Sequence, residues 1–78
     1  MKVVVNVKLK PGVLDPQGKA VGHALASLGF NGVGDVRVGK QIVLDLDETD
    51  KEKARKIVTE MCDEILANTV IEDYEIVL

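Results

Sequence analysis

The most suggestive chemical group in this 78-residue chain is Gly34-Asp35-Val36-Arg37-Val38-Gly39-Lys40-Gln41. Two glycines five apart, the second followed by lysine, match the start of a phosphate-cradling loop, G-x-x-x-x-G-K-[ST]. Such a loop follows a strand, opens a helix and ends in a hydroxyl that holds magnesium. Here the last position is Gln41, and Ile42-Val43-Leu44-Asp45-Leu46 has the β-branched, alternating character of a strand. The intervening residues alternate too, with Asp35 and Arg37 on one side and Val36 and Val38 on the other. These neighbours favour a β-hairpin with Gly39 at the first central position of a type II′ turn. The segment reads as structure.

The remaining reactive residues are scattered. His23 is the only histidine and Cys62 the only cysteine. Helical spacing puts His23 opposite an apolar stripe, as a solvated side chain, and Cys62 at the edge of another, as a packing residue. The acids between Asp45 and Asp50 lack the glycine of a calcium loop, and helix N-termini favour acids for dipole reasons. Glu72, Asp73 and Glu75 fit an edge strand guarded against indiscriminate pairing. No nucleophile has an evident base, so neither a catalytic centre nor a metal site is expected.

The elements that position these residues follow from periodicity. Residues 2–10 alternate, with Val3, Val5, Val7 and Leu9 on one face, which predicts a half-buried strand. Pro11-Gly12 turns the chain. Asp15 before Pro16 reads as an N-cap and first helical residue. The helix runs no further than Phe30, with Gly29 as its stop and Val21, Ala24, Leu25 and Leu28 as its stripe. After the expected hairpin, Thr49-Asp50-Lys51-Glu52 reads as a capping box with Thr49 as N-cap. The second helix buries Ala54, Ile57, Val58, Met61 and Ile65, and Asn68 is expected to cap it in a left-handed conformation. A final strand places Tyr74, Ile76 and Leu78 on one side, with Glu72 at its frayed start.

The predicted class is therefore α+β: a single domain over 1–78 in the order β-α-β-β-α-β. Its four-stranded antiparallel sheet would carry two helices on one face, the ferredoxin-like arrangement, with the first and third strands central. That order serves many functions. RNA-recognition domains need aromatics on the open sheet face, and Lys2, Val4, Asn6, Lys8, Gln41, Val43 and Asp45 include none. Metal chaperones need paired cysteines after the first strand, and acylphosphatases an arginine there; "KPGVLD" supplies neither.

Bulk properties narrow the partners. Ten basic and thirteen acidic residues give a net charge of −3, with the signs interspersed, which argues against nucleic acid. No apolar run approaches the ~20 residues of a membrane span, and Met1-Lys2 leads straight into a strand, so no secretory signal is expected. One cysteine fits a reducing, cytoplasmic setting. A chain this short buries only about 60% of its unfolded surface, which invites oligomerisation. Val4, Val43, Ile71 and Val77 lie among Lys8, Arg37, Asp45, Asp73 and Glu75 on the expected open face, a mixture typical of a protein interface. An ordinary solvated face with stray valines is the plainer alternative.

Three segments carry a resemblance. Lys10-Pro11-Gly12-Val13-Leu14-Asp15-Pro16-Gln17-Gly18 resembles the stretch after the first strand in the PurS family, the small subunit of phosphoribosylformylglycinamidine (FGAM) synthase. Gly29-Phe30 with Val36-Arg37-Val38-Gly39-Lys40, and Met61-Cys62 through Leu66-Ala67-Asn68-Thr69-Val70-Ile71-Glu72-Asp73-Tyr74, resemble the rest. The resemblance implies a subunit without an active site of its own, in a ligase of purine biosynthesis that uses ATP and glutamine-derived ammonia. It implies no cofactor on this chain, with ATP and magnesium held by the synthetase subunit PurL, and a glutaminase subunit, PurQ, as the other partner. It also implies a homo-oligomer, dimer or tetramer, that bridges the two. Val4, Lys10, Pro11, Asp15, Arg37, Lys40, Val43 and Asp73 are the expected interface residues. A small-molecule-binding regulatory module of the ACT type shares the element order and stands as the alternative.

Overall fold

The computed structural model describes residues 1–78. Strand β1 (Lys2–Leu9) leads to helix α1 (Pro16–Ser27), strand β2 (Lys40–Asp45), helix α2 (Lys51–Met61) and strand β3 (Glu72–Val77). The sheet has three antiparallel strands in the order β2-β1-β3. This corrects the four-stranded β-α-β-β-α-β expectation to β-α-β-α-β.

The missing strand is residues 34–39, which join no strand pairing. No type II′ hairpin forms, because the positive φ values fall at Gly12, Gly29 and Gly32 and not at Gly39. What Gly39 supplies is closeness: a Cβ there would come within 2.7 Å of the Val7 carbonyl oxygen. The segment is drawn instead to α1. The Val38 N–H donates to Asp15 Oδ2 at 2.7 Å, and the Val36 carbonyl lies where a side chain on Gly18 would be. Alternation forecasts an extended backbone but names no partner for it, so β1 alone is central and β2 is an edge.

Helix starts follow local rules closely. Asp15 caps α1, its Oδ1 accepting from the Gly18 N–H at 2.8 Å, with Pro16 first in the helix. The cap of α2 is one residue later than the capping box predicts. Asp50 Oδ1 accepts from the Glu52 N–H at 2.9 Å, while Glu48 Oε1 accepts from the N–H groups of Thr49 and Asp50. Aspartate accepts from these amides as well as threonine does, so the sequence pattern is ambiguous by one position. At its far end α2 widens into a π-helical turn, Cys62–Leu66. Asn68 is not left-handed, since no residue other than glycine has positive φ; it turns the chain through its carbonyl, which accepts from the N–H groups of Ile71 and Glu72.

The core lies between β1 and α2. Val3, Val5, Val7, Ala54, Val58, Cys62 and Ala67 are buried, with Ile42, Leu44, Tyr74 and Ile76 half-buried around them. The second correction concerns α1, which does not lie on the sheet beside α2. Its one buried residue is Gly18. It projects past the end of β1 with residues 28–39 alongside, giving a molecule of 48 × 24 × 15 Å. The radius of gyration is 15.9 Å, against about 11.5 Å for a compact chain of this length.

Candidate functional site

Two surfaces bring sequence-expected residues together. On the open sheet face Val4 sits opposite Val43 on one side and Val77 on the other, a row across all three strands. Val43 is 55% and Val77 43% exposed. Polar rows flank the valines: Gln41 Nε2 donates to Asn6 Oδ1 at 3.0 Å, and Lys8 faces Asp73. Ile71 falls outside β3 and is 39% exposed.

The second surface is the junction where β1 hands over to the α1 arm. Pro11-Gly12 turns with φ 87° at Gly12. The Arg37 guanidinium donates to the Lys10 carbonyl at 3.2 Å. Lys40 Nζ stands 3.9 Å from Glu72 Oε2. An open hollow of about 570 Å³ separates the two surfaces, its polar rim formed by Asn6, Lys8, Lys40, Gln41, Asp73 and Glu75. Both charge signs meet there without a nucleophile beside a base.

Asp15 belongs to the junction but faces inward, only 4% exposed. Its oxygens are engaged by the backbone of Gly18 and Val38. Those two hydrogen bonds, the Gly18 one foremost, hold its carboxyl below the usual carboxylate range despite partial desolvation. The cap is legible in sequence. Its second bond, to a residue 23 positions on, is not, and neither is the burial of Gly18.

The reactive residues stay apart. His23 is exposed on α1, its carbonyl accepting from Ser27 Oγ. Cys62 is fully buried, and burial followed by the nearby Asp63 charge pushes its thiol pKa up, away from the nucleophilic thiolate. The Tyr74 hydroxyl donates to Asp63 Oδ1 at 2.9 Å, a bond that raises its pKa. No three His, Cys, Asp or Glu residues converge as metal ligands would. Gly34–Lys40 leads into strand β2 and not into a helix, which is not the geometry of a phosphate cradle. No helix is long and apolar enough to cross a membrane.

The geometry defines a small α+β domain with a projecting arm and two surfaces that mix apolar and charged groups. Comparison with known proteins gives its family. The family model described as PurS, phosphoribosylformylglycinamidine (FGAM) synthase, matches residues 2–78. The phosphoribosylformylglycinamidine synthase subunit PurS of Bacillus subtilis (strain 168) is 55% identical over 73 residues, covering 94% of this chain and 86% of the relative. The crystal structure of Methanocaldococcus jannaschii PurS superimposes with a TM-score of 0.88 at 47% identity, covering 97% of this chain and 92% of that one. A chain in the structure of PurLQS from Thermotoga maritima gives a TM-score of 0.88 at 36% identity, covering 97% and 93%.

The chain belongs to the PurS family. It is a subunit of FGAM synthase, an ATP-dependent, glutamine-using ligase of purine biosynthesis.

Proposed function

We propose that this chain is a non-catalytic bridge, holding the glutaminase PurQ and the synthetase PurL together in the cytoplasm while ammonia passes between them. The observation that carries the reading is the likeness, over 97% of the chain, to a chain of the Thermotoga maritima PurLQS structure. A bridge has a physical purpose. Free ammonia is protonated in neutral water and lost as a nucleophile, so the site that releases it must be sealed to the site that consumes it. ATP and magnesium belong to PurL in this reading, and PurS binds neither. It acts as an oligomer, presenting its open sheet face (Val4, Val43, Asp73) and the junction (Lys10, Pro11, Arg37, Lys40). Asp15 serves these contacts from beneath by fixing the arm.

The test is reconstitution with purified PurL and PurQ, comparing synthesis from glutamine with synthesis from ammonia. The expected result is that glutamine-dependent synthesis requires this chain and ammonia-dependent synthesis depends on it far less. Val4→Glu and Val43→Lys place a charge in the valine row and are expected to impair the glutamine reaction selectively. Equal rates with and without the chain would sink the bridging role. Unaltered rates in both variants would move the contacts to the loops at 10–18 and 29–34.

A further inference from the structure

The hollow on the open sheet face is lined by charged and amide groups that the chain leaves largely unpaired. It holds about 570 Å³, within the range of small-molecule sites. Strand register fixes what stands on its floor. Asn6 on β1 lies between Gln41 and Glu75, and Lys8, one row on, lies opposite Asp73. Gly39, just before β2, is the neighbour of Lys8 on the other side; a Cβ there would sit 3.6 Å from Lys8 Cβ. With no side chain at that place, the floor dips. The two apolar residues of the lining, Val7 and Tyr74, alternate away toward the core. The hollow is polar.

Its polar groups have a definite complement. Gln41 Nε2 donates to Asn6 Oδ1, and the reciprocal bond is not made. An amide pair joined once leaves a donor, Asn6 Nδ2, and an acceptor, Gln41 Oε1, side by side. That edge matches a primary carboxamide, whose carbonyl accepts and whose amino group donates. Lys8, Asp73 and Glu75 take no part in the ion pairs of the chain, which join Met1 to Asp45 and Lys40 to Glu72. Lys8 is free to meet a carboxylate, and the two acids to meet an ammonium. A zwitterion satisfies both signs, whereas a simple anion or cation leaves one sign facing its like. A nucleotide fits badly, since its phosphates would stand against Asp73 and Glu75. Rows two residues apart along a strand are separated by about 6.8 Å. That spacing suits a carboxamide and an amino-acid head joined by two methylenes.

We propose that this hollow binds a free carboxamide amino acid as its zwitterion, with L-glutamine the best fit. The ligand carboxamide pairs with Asn6 and Gln41, its carboxylate with Lys8 and its ammonium with Asp73 and Glu75. The site is separate from the glutaminase centre and goes beyond the bridging role without resting on it. The test titrates the full-length ¹⁵N-labelled chain with L-glutamine, following backbone and side-chain amide signals, with calorimetry for affinity. The expected result is a saturable shift of the Asn6 and Gln41 side-chain signals. L-asparagine, L-glutamate, L-norvaline (no carboxamide) and glutaramate (no ammonium) should each bind about tenfold more weakly or worse, the scale of one lost methylene or polar partner. Gln41→Leu and Glu75→Gln should each lower glutamine affinity by about tenfold with the rest of the spectrum unchanged. Should either variant misfold, the ligand series on the parent chain decides. No saturable shift, or glutamate and norvaline moving the same signals as strongly as glutamine, would overturn the proposal. So would glutamine-induced shifts confined to residues outside the hollow. Gln41 and Glu75 are not among the contacts named for PurL and PurQ, and binding is read on this chain alone. Loss of either proposal therefore leaves the other standing.

Discussion

Helices α1 and α2 are of nearly equal length, twelve and eleven residues, and the chain treats them in opposite ways. The α2 sequence concentrates charge on one side and puts Ala54, Val58 and Cys62, the last just past its end, on the other; all three are buried in its own sheet. The α1 sequence has an apolar stripe and almost no charge, and that stripe is left outside. An apolar stripe forecasts a helix that will be covered. It does not forecast by which chain. A sharply two-faced helix docks where it is made, while a helix with little charge anywhere keeps no face reserved for water.

The largest effect separating the two should come from charging each stripe. Val58→Asp buries a carboxylate with no partner and is expected to cost about 4 kcal/mol or more, enough to unfold the sheet unit in a urea titration. Val21→Asp on α1 is expected to leave that unit folded and to act instead on mass and its concentration dependence. If Val21→Asp unfolds a single chain as thoroughly as Val58→Asp, the two helices are not different in kind.

Within α1 two glycines sharpen the contrast. At Gly18 a Cβ would collide with the Val36 carbonyl oxygen, a backbone atom, while at Gly22 its nearest neighbour is Val36 Cγ2 at 3.6 Å. Gly18→Ala should therefore detach residues 36–38 or shift the helix, at a cost of about 1–3 kcal/mol by analogy with overpacked cores. Gly22→Ala should be neutral or stabilise by up to about 1 kcal/mol, since alanine is the better helix former. Amide exchange at Val38 and thermal unfolding of both variants check this pair.

The smallest effect is gated by pH. The folded pKa of Asp15 is lowered by the Gly18 and Val38 amides. Its support of the arm is therefore fully present above the unfolded value of about 3.9 and disappears as pH falls through the lower folded value. Val38 should keep its amide protection at pH 5 and lose it only in stronger acid. Asp15→Asn should weaken protection at neutral pH and flatten that acid transition. A transition that survives the substitution would assign the acid sensitivity of the arm to another group.

Sequence by itself determined what local chemistry controls. Proline fixes a φ angle and an aspartate side chain meets the amides two or three residues on, so the start at Asp15-Pro16 needs no tertiary contact. The valine alternation of β1 names its buried face because side chains in a strand point to opposite sides. The segments 10–18, 36–40 and 61–74 together marked the PurS family, and the chain belongs to it. Tertiary structure decided where extended and helical pieces went. Residues 34–39 look like a strand because alternation is satisfied by any extended backbone, yet Asp15 and the space above Gly18 outcompeted the edge of β2 for them. Both holds join residues far apart in sequence. The stripe of α1 records that the helix is to be covered, but the surface available to cover it depends on how β2 and α2 are arranged. Burial is nondirectional, and only the assembled geometry gives it an address.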